Sequence, residues 1–233
     1  MNPDPVSIPH APRARWLVAL ALGGAFTVLV ACTPAEERAA NYMKKAQALY
    51  EQGDYVKAKL EAQNAVQITP KDAQAHFLLA EIAEKQQDFR PMIQQLLIAV
   101  DADPKMVPAR VKLGTLYFFG QAFDQAREQA KAATGLAPED PTVRVLNARL
   151  LLQDKKMEEG RKELDAALAQ DPDLVDAILL LAAVEAQKGE LGAGLKVLDD
   201  AIGRLDAEKA KPLRQVRIAI LAQQNRKEEV EQG

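Results

Sequence analysis

Small apolar residues recur along this chain at a fixed step of 34 positions. Five alanines keep that step, and they are Ala65, Ala99, Ala133, Ala167 and Ala201. Prolines at positions 70, 104, 138 and 172 repeat it. Each unit contains two stretches with apolar residues at helical spacing, separated by a short polar turn. This period predicts an array of stacked helix pairs, in which each unit buries its apolar face against its neighbours.

Two further positions of each unit carry small residues. With units that begin at residues 39, 73, 107, 141 and 175, the eighth positions are Ala46, Ala80, Gly114, Ala148 and Ala182. The twentieth positions are Ala58, Met92, Ala126, Gly160 and Gly194, and the alanines named above occupy the twenty-seventh. Small side chains let two helices approach closely, because a larger side chain would hold the backbones apart. We call these three positions the small-residue seam and expect it to lie at the helix crossings.

The turn between the two helices of each unit is polar and precedes a bulky apolar residue. In the first unit it is Gly53-Asp54-Tyr55, where Gly can end the first helix and Asp can cap the second. This unit resembles the tetratricopeptide repeat through Tyr42, Ala46, Leu49, Tyr50, Gly53, Asp54, Tyr55, Ala58, Ala65 and Pro70. The resemblance covers residues 39 to about 206 as five repeats. It implies an all-α superhelical solenoid of antiparallel helix pairs.

The chain departs from the family pattern at a few positions. Lys45 and Asn147 stand where the family usually has Leu, and Gln87, Gln121 and Lys155 stand where Gly is usual. After residue 206 the register slips by about two residues. Residues 213–223 then read as one more first helix, and residues 225–230 read as the start of its partner. Residues 207–233 are therefore expected to form a partial sixth repeat or a terminal cap.

The first 31 residues have the layout of a secretory signal. Arginines at positions 13 and 15 precede an uncharged apolar run over residues 16–31, which is short for a membrane-spanning helix. The run ends in Leu29-Val30-Ala31-Cys32, which resembles the lipobox of bacterial lipoproteins. In that family the peptide is cut before the cysteine, and the cysteine carries acyl chains such as palmitate. The alternatives are a plain signal peptide cut after Ala31 and an uncleaved anchor.

The lipobox resemblance also implies a location. Residues 1–31 would be removed, and residues 32–38 would be the lipidated Cys32 with a short linker. In the lipoprotein family an Asp after the cysteine tends to retain the protein in the inner membrane, whereas this chain has Thr33. We therefore expect an array that is lipid-anchored in the cell envelope, faces the periplasm and favours the outer membrane.

Composition and residue types argue against several classes of function. The formal net charge is −3 with both signs interspersed, so no basic stripe is available for nucleic acid. Cys32 is the only cysteine, and His76 is the only histidine after residue 31, so a zinc cluster is not expected. No nucleophile is placed beside a base in the sequence. We therefore expect no enzymatic activity, no cofactor and no metal, and we expect His76 to be a packing residue.

In the tetratricopeptide family, fixed positions of the first helices line a concave groove that binds partners. Those positions are markedly apolar in the central units of this chain. The residues assigned to the partner-binding groove are Phe77, Leu78, Val111, Lys112, Phe118, Phe119, Val145 and Arg149. Part of this set is expected to pack between units. The remainder predicts a surface for an apolar helix or an extended segment, and not for a small-molecule substrate.

These features predict a membrane-tethered scaffold for protein–protein interactions in a Gram-negative envelope. The layout resembles lipoproteins of exopolysaccharide and exosortase-associated export systems. Pilus-assembly and outer-membrane assembly lipoproteins share it and are alternatives. Two other classes remain open: a module that captures a soluble ligand, and the interaction part of a longer protein whose activity lies beyond Gly233.

Overall fold

The structure, a computed structural model, describes residues 34–187 and 191–232, with side chains as far as residue 222. Cys32 and the signal-like segment lie outside the described residues, as do residues 188–190. The described residues form eleven α-helices and no strands. The first helices of the five units are α1 (Ala35–Glu51), α3 (Ala73–Lys85), α5 (Val107–Phe119), α7 (Pro141–Gln153) and α9 (Val175–Gln187). The second helices are α2 (Tyr55–Ile68), α4 (Phe89–Ala102), α6 (Phe123–Leu136), α8 (Met157–Gln170) and α10 (Leu191–Arg204), and α11 (Ala207–Gln232) follows them.

The helices begin where the 34-residue period predicts. α3, α5, α7 and α9 start at residues 73, 107, 141 and 175, which are the predicted first positions of their units. Only α1, among the described first helices, starts early, at Ala35. Glu36 and Glu37 favour that extension, because carboxylates in the first turn stabilise the positive end of the helix dipole. The predicted all-α solenoid of helix pairs is confirmed.

The small-residue seam is buried at every one of its positions. At Gly114 of α5, a Cβ atom would lie 2.7 Å from Leu146 Cδ2 and 3.2 Å from Gln129 Cβ. At Gly160 of α8, a Cβ atom would lie 2.8 Å from Leu152 Cγ. Contacts this short require neighbouring atoms to move, so the helices cross too closely for a larger residue. The expectation that the seam lies at the helix crossings is confirmed.

The turns inside the first four units share one backbone geometry. After α3, the N–H of Gln87 donates to the carbonyl of Glu84 at 3.0 Å, and the N–H of Asp88 donates to that of Ala83 at 2.9 Å. This is the Schellman arrangement, which places the residue after the cap in the left-handed region. Gly53 has φ +79°, and the non-glycine residues at the equivalent position, Gln87, Gln121 and Lys155, have φ of 57°, 59° and 62°. These residues hold the glycine geometry at a cost of about 1 kcal/mol each.

The first unit is polar where later units are apolar. Leu78, Leu79 and Ile82 of α3 pack against the first unit. The residues at the corresponding positions of α1 are Lys44, Lys45 and Ala48, and all three are exposed. No helix precedes α1 among the described residues, so its two lysines lie in water. This accounts for Lys45 at a position where the family usually has Leu.

The second departure from Leu, at Asn147, is compensated by hydrogen bonds. The Asn147 side-chain amide donates to the Thr134 hydroxyl at 3.0 Å, across the contact between α7 and α6. The Thr134 hydroxyl in turn donates to the carbonyl of Ala130 at 2.8 Å. A half-buried polar side chain is tolerated there because its donor is satisfied.

The last helix differs from the sequence prediction. Instead of a helix over residues 213–223 and the start of a second one, the chain forms one 26-residue helix, Ala207–Gln232. Asp206 caps it by accepting hydrogen bonds from the N–H groups of Glu208 and Lys209. Residues 223–227 lack the bulky apolar residue that begins the second helix after the other turns, namely Tyr55, Phe89, Phe123, Met157 or Leu191, and the helix continues through them. Ala210 and Leu213 are fully buried, so α11 covers the fifth unit with one face.

Candidate partner-binding groove

An open cavity of about 370 Å³ lies along the first helices of the second to fifth units. We call it the groove pocket. α5 supplies more of its wall than any other helix, and α3, α4, α7, α9 and the loop before α9 supply the rest. Its apolar lining residues are Phe89, Met92, Pro108, Val111, Leu116, Phe119, Val145 and Leu174. A pocket of this size accommodates a few large side chains of a partner.

Four of the eight residues assigned to the groove from the sequence line this pocket. Val111, Lys112 and Phe119 of α5 and Val145 of α7 lie in its wall. Phe119 is 63% exposed, which is unusual for a phenylalanine. Val145 is buried and contributes only the floor. The structure therefore brings these four side chains together on one surface.

Arg149 lies beside the pocket and supports Phe119. Its guanidinium is 5.2 Å from the centre of the Phe119 ring, which is within cation–π range. The same guanidinium donates to Asp176 at 3.2 Å. Because Phe119 also meets Phe118 edge-on at 5.8 Å, the exposed ring is held from two sides.

The other three assigned residues pack mainly inside the array. Leu78 is only 2% exposed and belongs to the core between the first two units, so it offers no surface to a partner. Phe77 packs against the core between α4 and α5. Phe118 packs against the core between α6 and α7 and contacts Phe123 at 5.6 Å. These three residues are the part of the assigned set that packs between units.

The mapping from the sequence missed lining residues outside the inner positions of the first helices. Phe89 and Met92 come from the start of α4, and Leu174 comes from the loop before α9. Phe89 had a usable signal, because it is the bulky residue after the turn and Gln87-Asp88 precede it. Leu174 had none, since loop residues follow no helical period.

Two ion pairs between units flank the groove pocket. Lys112 of α5 donates to Glu84 of α3 at 2.6 Å, and Arg149 of α7 donates to Asp176 of α9 at 3.2 Å. Both carboxylates line the pocket. Exposed pairs of this kind contribute little to stability, about 0 to 1 kcal/mol each. Their effect is to fix where charge lies around an apolar surface.

Two carboxylates, Glu81 and Glu84, lie near Lys112 at the α3 end of the groove. Burial raises the pKa of the half-buried Glu81, which lies one turn before Glu84 on α3. Burial first, and then the charges of Glu81 and Glu84, raise the pKa of the Tyr50 phenol to about 12. Lys112 and Lys85 act on Glu81 in the opposite sense, so cations lie close to both carboxylates at this end.

His76 packs inside the second unit, as expected. It is buried, its Nδ1 lies 2.6 Å from Gln95 Oε1, and its Nε2 lies 3.0 Å from the carbonyl oxygen of Pro70. Arg110 makes the equivalent two contacts one unit later, at 2.7 and 3.0 Å. His76 therefore fills a polar position that the array repeats.

Within residues 34–187 and 191–232, no helix combines the length and apolar character needed to cross a bilayer. In the same ranges, no group of three or more His, Cys, Asp or Glu side chains is arranged to hold a metal ion.

Known families match this architecture. Two family models, both described as tetratricopeptide repeat, match residues 43–107 and 121–177. Together the two matches cover just over half of the chain. This chain is a tetratricopeptide-repeat protein. Arrays of these repeats are scaffolds for protein–protein interaction and are generally non-catalytic.

Solved structures of tetratricopeptide-repeat proteins share the fold. A thermophilic member from Thermus thermophilus is 20% identical, with a TM-score of 0.65 over 79% of this chain and 99% of that chain. PilF of Pseudomonas aeruginosa is 17% identical, with a TM-score of 0.61 over 82% and 92%. PilW, a type IV pilus biogenesis factor, is 16% identical, with a TM-score of 0.62 over 79% and 91%. A search of curated proteins gave no match. At these identities the likeness shows the fold.

Proposed function

We propose that this tetratricopeptide-repeat protein captures a partner protein in the groove pocket. The observation that carries the proposal is Phe119, whose ring is 63% exposed at the wall of a cavity of about 370 Å³. An exposed aromatic ring held beside an apolar cavity is a typical anchor point of an interface. The pocket is open along the helices, so it suits an extended or helical segment of a protein.

The groove is tested by capture of partners in intact cells. Phe119→Ala should weaken the affinity for the partner about thirtyfold, because a buried aromatic anchor contributes about 2 kcal/mol. Recovery of crosslinked envelope partners should fall accordingly. Ile218→Ala is the matched control, since Ile218 is 64% exposed but lies on α11, away from the pocket. If both variants capture partners as the wild type does, the binding surface lies elsewhere.

We also propose that the array is tethered to a membrane through a lipid on Cys32. The support is the sequence Leu29-Val30-Ala31-Cys32 after an apolar run. Only residues 33 and 34 separate Cys32 from the start of α1. Two residues span less than about 10 Å, so a lipid there would keep the first unit near the bilayer. Two or three acyl chains on one residue anchor a protein stably.

The tether is tested by metabolic labelling with palmitate. Cys32→Ser should abolish the label and leave the precursor uncut or cut elsewhere, because lipid attachment precedes cleavage in this class. Thr33→Ser is the control, since it changes the next residue and keeps the cysteine. Label on the Cys32→Ser variant, or its absence from the wild type, would refute the tether and leave the groove proposal standing.

Within the envelope, we propose a scaffold of an exopolysaccharide or protein export system that faces the periplasm, with the outer membrane favoured by Thr33. Pilus assembly is the alternative, since PilF and PilW share the fold. The two roles predict different crosslinked partners. If crosslinking recovers pilus subunits or pilus secretion proteins, and their recovery requires Phe119, the role in pilus assembly is favoured.

A further inference from the structure

We propose that the segment bound in the groove pocket carries apolar side chains flanked on both sides by lysine or arginine. This inference rests on the proposed function and names the chemistry of its partner. It follows from the position and exposure of the charged groups around the pocket.

The centre of the pocket selects apolar side chains. Val111 and Phe119 form its wall, and Met92, Leu116 and Val145 lie deeper. A polar side chain placed against this surface would lose water without gaining a hydrogen bond. The centre of the bound segment is therefore apolar.

The carboxylates are more exposed than their partner cations at the two ends of the pocket. At the α3 end, the side chain of Glu84 is 43% exposed and that of Lys112 is 27% exposed. At the α9 end, the side chain of Asp176 is 60% exposed and that of Arg149 is 12% exposed. In each pair the carboxylate is more exposed than its cation, so an arriving partner meets more of the acid than of the base.

The hydrogen bonds point the same way. Lys112 bonds to Glu84 Oε2, and Arg149 bonds to Asp176 Oδ2. The second oxygen of each carboxylate accepts no hydrogen bond from any residue in the described part of the chain. A basic residue of the partner can therefore add to each pair without breaking it. An acidic residue would have to displace Glu84 or Asp176 from its own cation, which costs the existing pair.

The α3 end holds a second carboxylate near Glu84, with Lys112 and Lys85 nearby. Glu81 lies one helical turn before Glu84, and both carboxylates disfavour ionisation of Tyr50. Such a potential steers a basic segment toward the groove before contact. We expect the preference for basic flanks to weaken as salt concentration rises.

The experiment is selection of random peptides on the purified protein with its native N-terminus. Selections run in parallel on the wild type, on Phe119→Ala and on Thr115→Trp, which fills the pocket with a large ring. The expected result is peptides with an apolar centre and Lys or Arg on both sides, enriched on the wild type and lost on both variants. Enriched peptides with neutral or acidic flanks that still require Phe119 would overturn this inference and leave the groove function intact. If no enriched peptide requires Phe119, the groove function fails and this inference fails with it.

The charge contribution is measured by fluorescence anisotropy with a selected peptide. Glu84→Gln with Asp176→Asn should weaken binding about tenfold and remove most of its salt dependence. Asp124→Asn with Asp165→Asn is the matched control, since both side chains are exposed on second helices and the change in net charge is the same. If the two double variants weaken peptide binding equally, the effect comes from net charge alone and the inference is overturned. Circular dichroism on each variant confirms that the helices remain folded.

Discussion

On the first helices, the eighth position, which belongs to the small-residue seam, and the next position, which faces the groove, show opposite patterns of residue types. At the eighth position the seam has Ala46, Ala80, Gly114, Ala148 and Ala182, and all five are buried. One position later, toward the groove, the units have Gln47, Glu81, Thr115, Arg149 and Ala183. Residues that repeat in every unit hold the stack together. Residues that differ from unit to unit create the groove pocket around α5.

This difference separates stability from binding in a testable way. A change in the seam should damage the fold wherever it is made, and a change on the groove surface should damage binding alone. The following predictions are ordered by the size of the expected effect.

The largest expected effect is in the seam. Gly114→Leu should destabilise the array by about 3 kcal/mol, because even a Cβ atom there would lie 2.7 Å from Leu146 Cδ2. Chemical unfolding gives the magnitude, and amide exchange should show the loss concentrated in α5 to α7. The control is Gly135→Ala on α6, where a Cβ atom meets nothing within 4 Å and helix propensity should raise stability slightly. A mild Gly114→Leu variant would show that the helices can move apart at no great cost.

The second effect distinguishes two adjacent phenylalanines. Phe118→Ala should cost about 2 kcal/mol of unfolding free energy, because this ring packs against the core between α6 and α7. Phe119→Ala should leave stability nearly unchanged and should weaken binding instead, because its ring is mostly exposed. Thermal unfolding and peptide anisotropy on both variants test the pair. The comparison breaks down if the two substitutions affect stability equally.

The third effect concerns the left-handed turn after α3. Gln87→Gly should stabilise the protein by about 0.5 to 1 kcal/mol, because Gln87 has φ 57° and glycine adopts that geometry without strain. Gln86→Gly, at the neighbouring residue with φ −87°, should instead destabilise it slightly. Urea unfolding measures both. These replacements in the turn should not alter peptide affinity. A change in affinity would mean that the geometry of the turns determines the shape of the groove pocket.

The smallest effect is a pH dependence from Glu81. Burial raises the pKa of this carboxyl in the folded state above its unfolded value of about 4.5. The folded state therefore binds the proton more tightly, so stability falls as pH rises from the unfolded pKa through the folded one. Glu81→Gln should be slightly more stable than the wild type above that window and should lose this pH dependence. Unfolding across pH 4 to 7 tests this, with the exposed Glu128→Gln of α6 as the control; a wild type that gains stability with pH relative to Glu81→Gln would contradict it.

The repeat register was predictable from the sequence because the same packing problem recurs in each unit. Positions that touch neighbouring units must be small or apolar, so their period survives in the residue types. The last helix was not predictable in the same way. It packs one face on the fifth unit and does not pair with a second helix of its own among the described residues, and the 34-residue period that fixes the other helices is lost at Asp206.

The groove was only partly predictable because one register position can face two directions. The sixth position of α3 and α5 holds Leu78 and Lys112; the leucine is buried in the core, whereas the lysine lines the pocket. A long charged side chain extends its head to the groove, and a short apolar one turns inward. Phe118 and Phe119 show the same limit, since adjacent helical residues point about 100° apart. Register identifies the candidates, and packing decides which of them a partner can touch.

Site-specific photocrosslinking in intact cells tests most directly whether the variable surface, and not the repeated seam, binds the partner. A photoreactive phenylalanine analogue would be placed at Phe119, and in separate strains at Ile218, which is equally exposed on α11. The expected result is a discrete crosslinked partner from position 119 and none from position 218. The same partner recovered at equal yield from both positions, or recovered from position 218 alone, would contradict binding at the groove.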